Sequence, residues 1–274
     1  MHTFYNHLLL LIVICTIIFI FIIPICSTKE VTQENNVHYW THSPTLKSGL
    51  LFGTYNGYNM LYIICVATKT TLKITILGLF ISLIGGMLLI YYYFYSRFKN
   101  ILDIIHKFIT YFPRLFFLIF FSYIFKLQET SQLFFDVTYY LVIMFGITGS
   151  LFLLSQTYSE ITLIENQLFI HFSRSVGRSE LWIFCHHVLK NCPLLPISII
   201  KQMRDNILFL SILTFIGCVN LQPEDLGSLI CRLANDPAIY QKGWWILFFP
   251  CFFLTWIILL LNLCSEKIAH NSNV

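Results

Sequence analysis

Long apolar runs dominate the chain, and shorter polar segments separate them. A helix needs about 20 mostly apolar residues to cross the roughly 30 Å hydrocarbon layer of a membrane. Six runs are long enough, at residues 7–26, 71–95, 108–126, 132–156, 194–219 and 244–264. None of them alternates apolar and polar positions as the strands of a membrane barrel do. The pattern predicts an all-α, polytopic membrane protein with about six transmembrane helices.

The first run has two interpretations, a secretory signal or a retained membrane anchor. No Lys or Arg precedes it, and it is longer than a typical signal segment. We therefore expect residues 1–44 to form an N-terminal transmembrane anchor and the start of an outer loop. We expect residues 45–270 to form one transmembrane domain.

Composition supports the membrane assignment. Of the 274 residues, 57% are hydrophobic and 11% are charged, and the mean hydropathy is +0.74. A soluble domain carries about 25% charged residues, so the composition argues against a soluble enzyme. The net charge of +4 comes without a Lys/Arg cluster, so we expect no nucleic-acid partner.

Segment 157–193, between the fourth and fifth runs, is polar overall but has a helical pattern. Its apolar residues recur at helical spacing on both sides of Gly177. Glycine in a helix costs about 1 kcal/mol relative to alanine, so we expect a helix–turn–helix break there. A plain connector of this length is unusual. We predict a short amphipathic structure on the inner membrane face.

Three charged residues, Lys201, Arg204 and Asp205, fall inside the fifth run. A charge at membrane mid-depth costs roughly 2.5–3.5 kcal/mol, so such groups usually pair or line a watery path. Lys201 and Asp205 are four residues apart and could pair on one helix face. One interpretation is a pathway lining whose cationic bias suits a carboxylate or another anion. The alternative is that the span starts later and leaves all three residues at the inner interface.

The third run contains Pro113 and Arg114. Proline has no backbone N–H, so Pro113 is predicted to kink the helix. Arg114 lies near the inner end of the run, where its long side chain could reach the lipid headgroups.

The chain lacks the common motifs of nucleotide, zinc and serine-hydrolase sites. We predict no catalytic residue, no cofactor and no metal ion held by this chain. His186 and His187, with Cys185 before them and His171 upstream, are interpreted as surface residues at a protein interface. Adjacent helical residues diverge by about 100° and cannot face one ion together. Whether Cys26 and Cys231 pair is left open.

Three stretches carry a family resemblance through their order and spacing. They are FGTYNGYNMLYIICVATKTTL at 52–72, GRSELWIFCHHVLKN at 177–191 and TFIGCVNLQPEDLGSLI at 214–230. Together with Phe112 and Pro113, they resemble the permease subunits of ABC importers of the dipeptide, oligopeptide and nickel class. The resemblance covers about residues 45–270.

The resemblance implies the type I importer permease fold, with both termini in the cytoplasm and the chain in the cell membrane. Charge favours the same orientation, because the inner segments then hold seven Lys/Arg and the outer segments five. Segment 157–193 would carry the coupling helix that docks on a separate ATPase. The residues expected to make this contact are His171, Arg174, Gly177, Arg178, Glu180, Leu181, Trp182 and Ile183.

The same resemblance implies a set of partners. They are a second permease subunit, two ATP-binding ATPase subunits, an extracytoplasmic substrate-binding protein and membrane lipid. The substrate would be a peptide, and the partner subunits would bind the ATP. The chain departs from the family pattern where the loop signature begins Glu-Ala-Ala, since His171, Phe172 and Ser173 stand there. The departure suggests a divergent subunit with a dedicated ATPase.

Three other functions stay open. The first is a permease for nickel or a metal chelate, which His38 and His42, four residues apart, could contact. The second is an ion-coupled secondary transporter without an ATPase, which would need broken helices around a midplane site. The third is a membrane scaffold that transports nothing.

Overall fold

The computed structural model describes residues 44, 52–55, 58–95, 99–129, 136–236 and 243–272. The predicted span at 7–26 lies outside the described residues, as do Cys26, His38 and His42. The division between residues 44 and 45 therefore stays a prediction.

The described chain is mostly helical, apart from one short hairpin in which β1 (Thr54–Tyr55) pairs antiparallel with β2 (Tyr58–Asn59). A π-helical turn at Phe184–Val188 follows the sixth helix directly. The helices are α1 (Met60–Tyr95), α2 (Lys99–Tyr111), α3 (Arg114–Glu129), α4 (Val137–Glu165), α5 (Leu168–Ser175), α6 (Glu180–Ile183), α7 (Leu194–Phe215), α8 (Leu226–Ala234) and α9 (Trp244–Ser272).

Within the described residues, three helical stretches are long and apolar enough to cross a membrane: Met60–Phe94, Val137–Glu165 and Trp244–His270. A fourth span is possible if Asp103–Tyr111 and Arg114–Ile124, bent by 87° at their junction, count as one broken helix. Helix α7 covers the predicted fifth span over residues 194–215, but its three charged residues keep it out of this set. The architecture is compatible with an all-α membrane protein, and the number six is not established.

Exposed apolar side chains fit that environment. The spanning stretches turn large apolar residues outward, among them Ile84, Ile147 and Phe248, each about half exposed or more. Soluble monomers rarely expose such contiguous apolar surface. Lipid would cover these faces.

Helix α1 begins at Met60 rather than at residue 71, so it is longer than predicted. The Oδ1 of Asn59 accepts a hydrogen bond from the Leu61 backbone N–H at 3.0 Å, which caps the new start. Residues 61–67 are apolar, and they extend the helix without a break. Part of the family-like stretch at 52–72 is therefore helical.

The kink predicted at Pro113 is confirmed, and it is a full break. Helix α2 ends at Tyr111 and α3 starts at Arg114. Proline cannot donate the next helical hydrogen bond, and it disfavours helical geometry in the residue before it.

The chain divides into two compact units, one of residues 1–73 with Leu210–Leu260 and the other of Ile74–Phe209 with residues 261–274. In the first unit, a capping box at Asp225 starts α8. Its carboxylate accepts from the Thr214 hydroxyl at 2.9 Å, and the Leu226 N–H donates to Thr71 Oγ1 at 3.0 Å. These bonds tie the short helix α8 to the long helices beside it.

In the second unit, the core lies between α1, α4 and segment 168–188. It includes Ile90, Phe94, Leu153, Leu154 and Ile161, all buried. Helix α2 packs its polar side against α4, where the Tyr158 hydroxyl donates to Asp103 Oδ1 at 2.8 Å.

Candidate functional site

The predicted helix–turn–helix break at Gly177 is confirmed, and its hydrogen bonds explain it. Gly177 has a φ of +81°. Its N–H donates to Arg174 O at 3.0 Å, and the Arg178 N–H donates to Ser173 O at 3.2 Å. This pair of bonds is the Schellman motif that ends a helix on a left-handed glycine. We call residues 168–188 the Gly177 hairpin.

A salt bridge braces the two arms of the hairpin across the turn. The Arg174 Nε and Nη2 donate to the two carboxylate oxygens of Glu180 at 2.9 and 3.2 Å. The guanidinium also lies 4.9 Å from the centroid of the Phe94 ring. Both residues were expected to face a partner; in this structure their charges are engaged with each other, and both side chains stay partly exposed.

The base of the hairpin is part of the unit's core. Ile170 and Ile183 are fully buried, and Phe184 and Val188 pack in the same cluster. Ile183 was expected to contact a partner, but its side chain has no exposed surface in this structure. It anchors the hairpin instead.

The outer end of the hairpin exposes apolar side chains. Phe172 is 70% exposed, and Leu181 is 59% exposed. Val176, beside the turn, is also exposed. We call these three residues the apolar tip.

The rim of the tip is basic. Arg178 is exposed and lies 4.6 Å from the centroid of the Trp182 ring, which stacks on His186. His171 is exposed on the preceding helix. Glu180, the one acidic residue in the hairpin, is held by Arg174. The exposed surface therefore presents apolar groups and positive charge.

His186 and His187 point to different neighbours, as their adjacency predicts. The His186 Nδ1 lies 3.2 Å from Trp182 O, and the His187 Nε2 lies 3.2 Å from Ser173 Oγ. No group of three or more potential metal ligands occurs in the part of the chain that the structure describes.

The charged residues of α7 pair differently from the prediction. The Arg204 Nη2 donates to Asp205 Oδ1 at 2.7 Å, and its Nη1 donates to Asn262 Oδ1 at 2.8 Å. The side chain of Lys201 is exposed, and it is Arg204 rather than Lys201 that pairs with Asp205. The suggested i,i+4 ion pair of Lys201 with Asp205 is therefore not formed, because Arg204 holds the Asp205 carboxylate.

Arg114 is a residue that the sequence analysis misplaced. It is only 7% exposed, so it does not extend to the headgroups. Its Nε donates to Thr148 Oγ1 at 3.2 Å, and its Nη2 donates to Asn206 Oδ1 at 2.8 Å. Gln202, one turn before Asn206 and fully buried, donates to Ser82. The available signal was the four-residue spacing of Gln202 and Asn206, which places two amides on one face of α7.

Glu160 joins α4 to the start of α7. It accepts hydrogen bonds from the Cys192 thiol and the Leu194 N–H, both at 3.0 Å. Burial, and then the neighbouring carboxylate, raise the pKa of Cys192 to about 12. The thiol stays protonated at neutral pH and acts as a donor rather than as a nucleophile.

Comparison with known proteins identifies no relative of this chain. No family model matches the chain, and no curated protein matches it. Any functional conclusion therefore depends on the geometry of the hairpin, the buried polar residues and the sequence resemblance.

Proposed function

We propose that this chain is the permease subunit of an ATP-driven ABC importer in the cell membrane, with a peptide as its substrate. The observation that carries the proposal is the Gly177 hairpin, a braced helical turn with a buried base and an exposed apolar tip. The helices compatible with membrane crossing and the three family-like stretches support it.

The construction of the hairpin suits a lever. A partner shifts a conformational equilibrium only through its different affinity for the two states. A loose loop would absorb the motion of a partner, whereas Ile170 and Ile183 fix the base in the core and the Arg174–Glu180 bridge fixes the angle between the arms. Motion applied at the tip is thereby passed to α1 and α4.

The tip also indicates the character of the partner surface. Phe172, Val176 and Leu181 would fill an apolar cleft, and His171 and Arg178 would face acidic groups around it. Complementary charge sets partner choice and association rate more than affinity. We therefore propose a dedicated ATPase with an acidic cleft, which matches the missing Glu of the loop signature.

The proposed pathway uses α7. Lys201 is exposed and Arg204 is paired with Asp205, so the positive charge that this helix offers at its surface is that of Lys201. A peptide with a free carboxylate is the substrate class that this charge suits. The proposed complex also contains a second permease, two ATPase subunits that bind ATP, and an extracytoplasmic substrate-binding protein.

Affinity purification of the full chain in mild detergent tests the proposal. We expect an ATPase with a phosphate-binding loop to co-purify. Gly177→Leu places a bulky side chain at the tip, so the reconstituted complex should lose substrate-stimulated ATP hydrolysis.

Gly217→Leu is the matched control. Gly217 also has a positive φ, +75°, and a Cβ at either glycine would meet no atom within 4 Å. Both variants strain the backbone by about 1–2 kcal/mol, but only one alters the hairpin. Full stimulation in Gly177→Leu, or no ATPase in the purified complex, would contradict the proposal.

The 87° break between α2 and α3 favours a second candidate, an ion-coupled secondary transporter. Such transporters bind substrate where helices are broken near the membrane midplane, and here a buried arginine directly follows the break. Uptake abolished by an ionophore, but unaffected by ATP depletion at constant membrane potential, would favour this candidate over the importer.

A further inference from the structure

We propose that Arg114 and Asn206 form a binding site for a singly charged anion in the interior of the Ile74–Phe209 unit. The inference goes beyond the importer function and does not depend on it, because every observation behind it concerns this chain alone.

The guanidinium of Arg114 has only neutral hydrogen-bond partners. Its Nε donates to Thr148 Oγ1, and its Nη2 donates to Phe145 O at 3.3 Å and to Asn206 Oδ1. No carboxylate among the described residues lies within ion-pair distance of it. The field of Asp205 reaches Arg114, but Asp205 is bound by Arg204, and these two charges neutralise each other. The local net charge is therefore positive.

A buried charge without a counter-charge is unfavourable, and proteins normally pair it or hydrate it. Here the positive charge is enclosed by protein, since Arg114 is almost fully buried and Asn206 is fully buried. A bound anion would neutralise the site and would leave the three hydrogen bonds of Arg114 to the protein in place.

Arg114 and Asn206 are bonded to each other, and each has one further donor without a partner among the described residues: Arg114 Nη1 and Asn206 Nδ2. The Asn206 amide is oriented by its bond to Arg114, because only its oxygen can accept from Nη2. Two free donors beside a positive charge repel a metal ion and attract a halide or a carboxylate. Gln202 Oε1, one turn earlier and also unpartnered, offers an acceptor to an accompanying water or N–H group.

Two half-buried aromatic rings lie against the guanidinium of Arg114. The Phe152 and Phe209 rings have their centroids 5.7 and 5.6 Å from the Arg114 guanidinium carbon. Both rings are half-buried, whereas Arg114 is buried. Rotation of a ring would admit a small anion, which would exchange a ring contact for a charge-assisted hydrogen bond.

The test uses the purified full chain in detergent micelles. The unfolding temperature is followed by tryptophan fluorescence as sodium chloride or sodium bromide replaces sodium gluconate at constant ionic strength. A ligand that binds only the folded state raises this temperature in a saturable way. We expect a saturable rise in the wild type and its complete loss in Arg114→Met. Lys107→Met removes an exposed cation from α2 and should keep the response.

Asn206→Asp keeps the test decisive if Arg114→Met does not fold. The new carboxylate supplies the missing counter-charge in place. We expect this variant to unfold at or above the temperature of the chloride-saturated wild type, and to lose its response to chloride.

Dialanine and dialanine amide distinguish the two sources of the anion, because they differ only in the carboxylate. A shift with dialanine but not with its amide would identify the anion as a substrate carboxylate. A shift with halide alone would identify it as a resident ion, and either result supports the site. Two results would overturn it: a wild type that responds to none of these anions, or a chloride response that survives in both Arg114→Met and Asn206→Asp.

Discussion

The apolar tip of the Gly177 hairpin and the polar interior of the same unit distribute charge in opposite ways. At the hairpin, the carboxylate of Glu180 is paired with Arg174 and apolar groups face outward. In the interior, Arg114 is buried beside neutral amides and hydroxyls. The exposed region pairs its one carboxylate and presents apolar groups with the basic Arg178, whereas the buried region encloses an arginine that has no counter-charge. The first suits a protein partner, and the second suits a small anion.

Of the measurements proposed here, the rate of thiol labelling should differ most between the two regions. Cys185 is exposed in the hairpin, and Cys192 is buried beside Glu160. Burial and the Glu160 carboxylate raise the pKa of Cys192 to about 12, which lowers its reactive thiolate fraction at neutral pH.

The measurement uses variants that retain one of these two cysteines and carry no other. We expect a maleimide to label Cys185 rapidly in folded protein and Cys192 only after denaturation. Equal rates in the folded protein would remove the distinction between an open hairpin and a closed interior.

Replacing one glycine by alanine in each region compares how much stability the same chemical change costs in the interior and in the hairpin. Gly149 of α4 lies against Gln202 and Ser82, which a Cβ would overlap. Overpacking of this kind costs about 1–3 kcal/mol. Gly177→Ala meets open space and costs about 1 kcal/mol through its positive φ. Denaturant unfolding should therefore rank Gly149→Ala as the more destabilised variant, and the reverse order would contradict the close packing.

Removing the Arg174–Glu180 salt bridge across the hairpin should change the free energy of unfolding least. Arg174 and Glu180 are each about a quarter to a third exposed, so solvent screens them. A double-mutant cycle to alanine should give a coupling energy of about 0.5–1 kcal/mol. A coupling near zero would mean that the core residues alone fix the angle of the hairpin.

Local chemistry made the hairpin predictable from the sequence. The Gly177 break follows from glycine in a helical pattern, and the break at Pro113 follows from a missing N–H. Neither feature requires knowledge of distant residues.

The interior was not predictable in this way. Arg114 was assigned to the membrane surface by its position in one helix, but Thr148 of α4 and Asn206 of α7 hold it inside. The partners of Asp205 and the burial of Ile183 also depend on which helices meet. Such contacts join residues far apart in the chain, and periodicity within one helix carries no information about them.

The most direct test of the central claim is a photo-cross-link from the apolar tip. Phe172 is replaced in the full chain by the photoreactive p-benzoylphenylalanine, which keeps an aromatic ring at this exposed position. The same replacement at Tyr139, an exposed aromatic residue of α4, is the control. We predict that irradiated membranes give one adduct at position 172, with an ATPase subunit, whose yield changes when ATP is added, and none with that subunit at position 139. Adducts with lipid alone at position 172, or identical adducts at the two positions, would contradict the account.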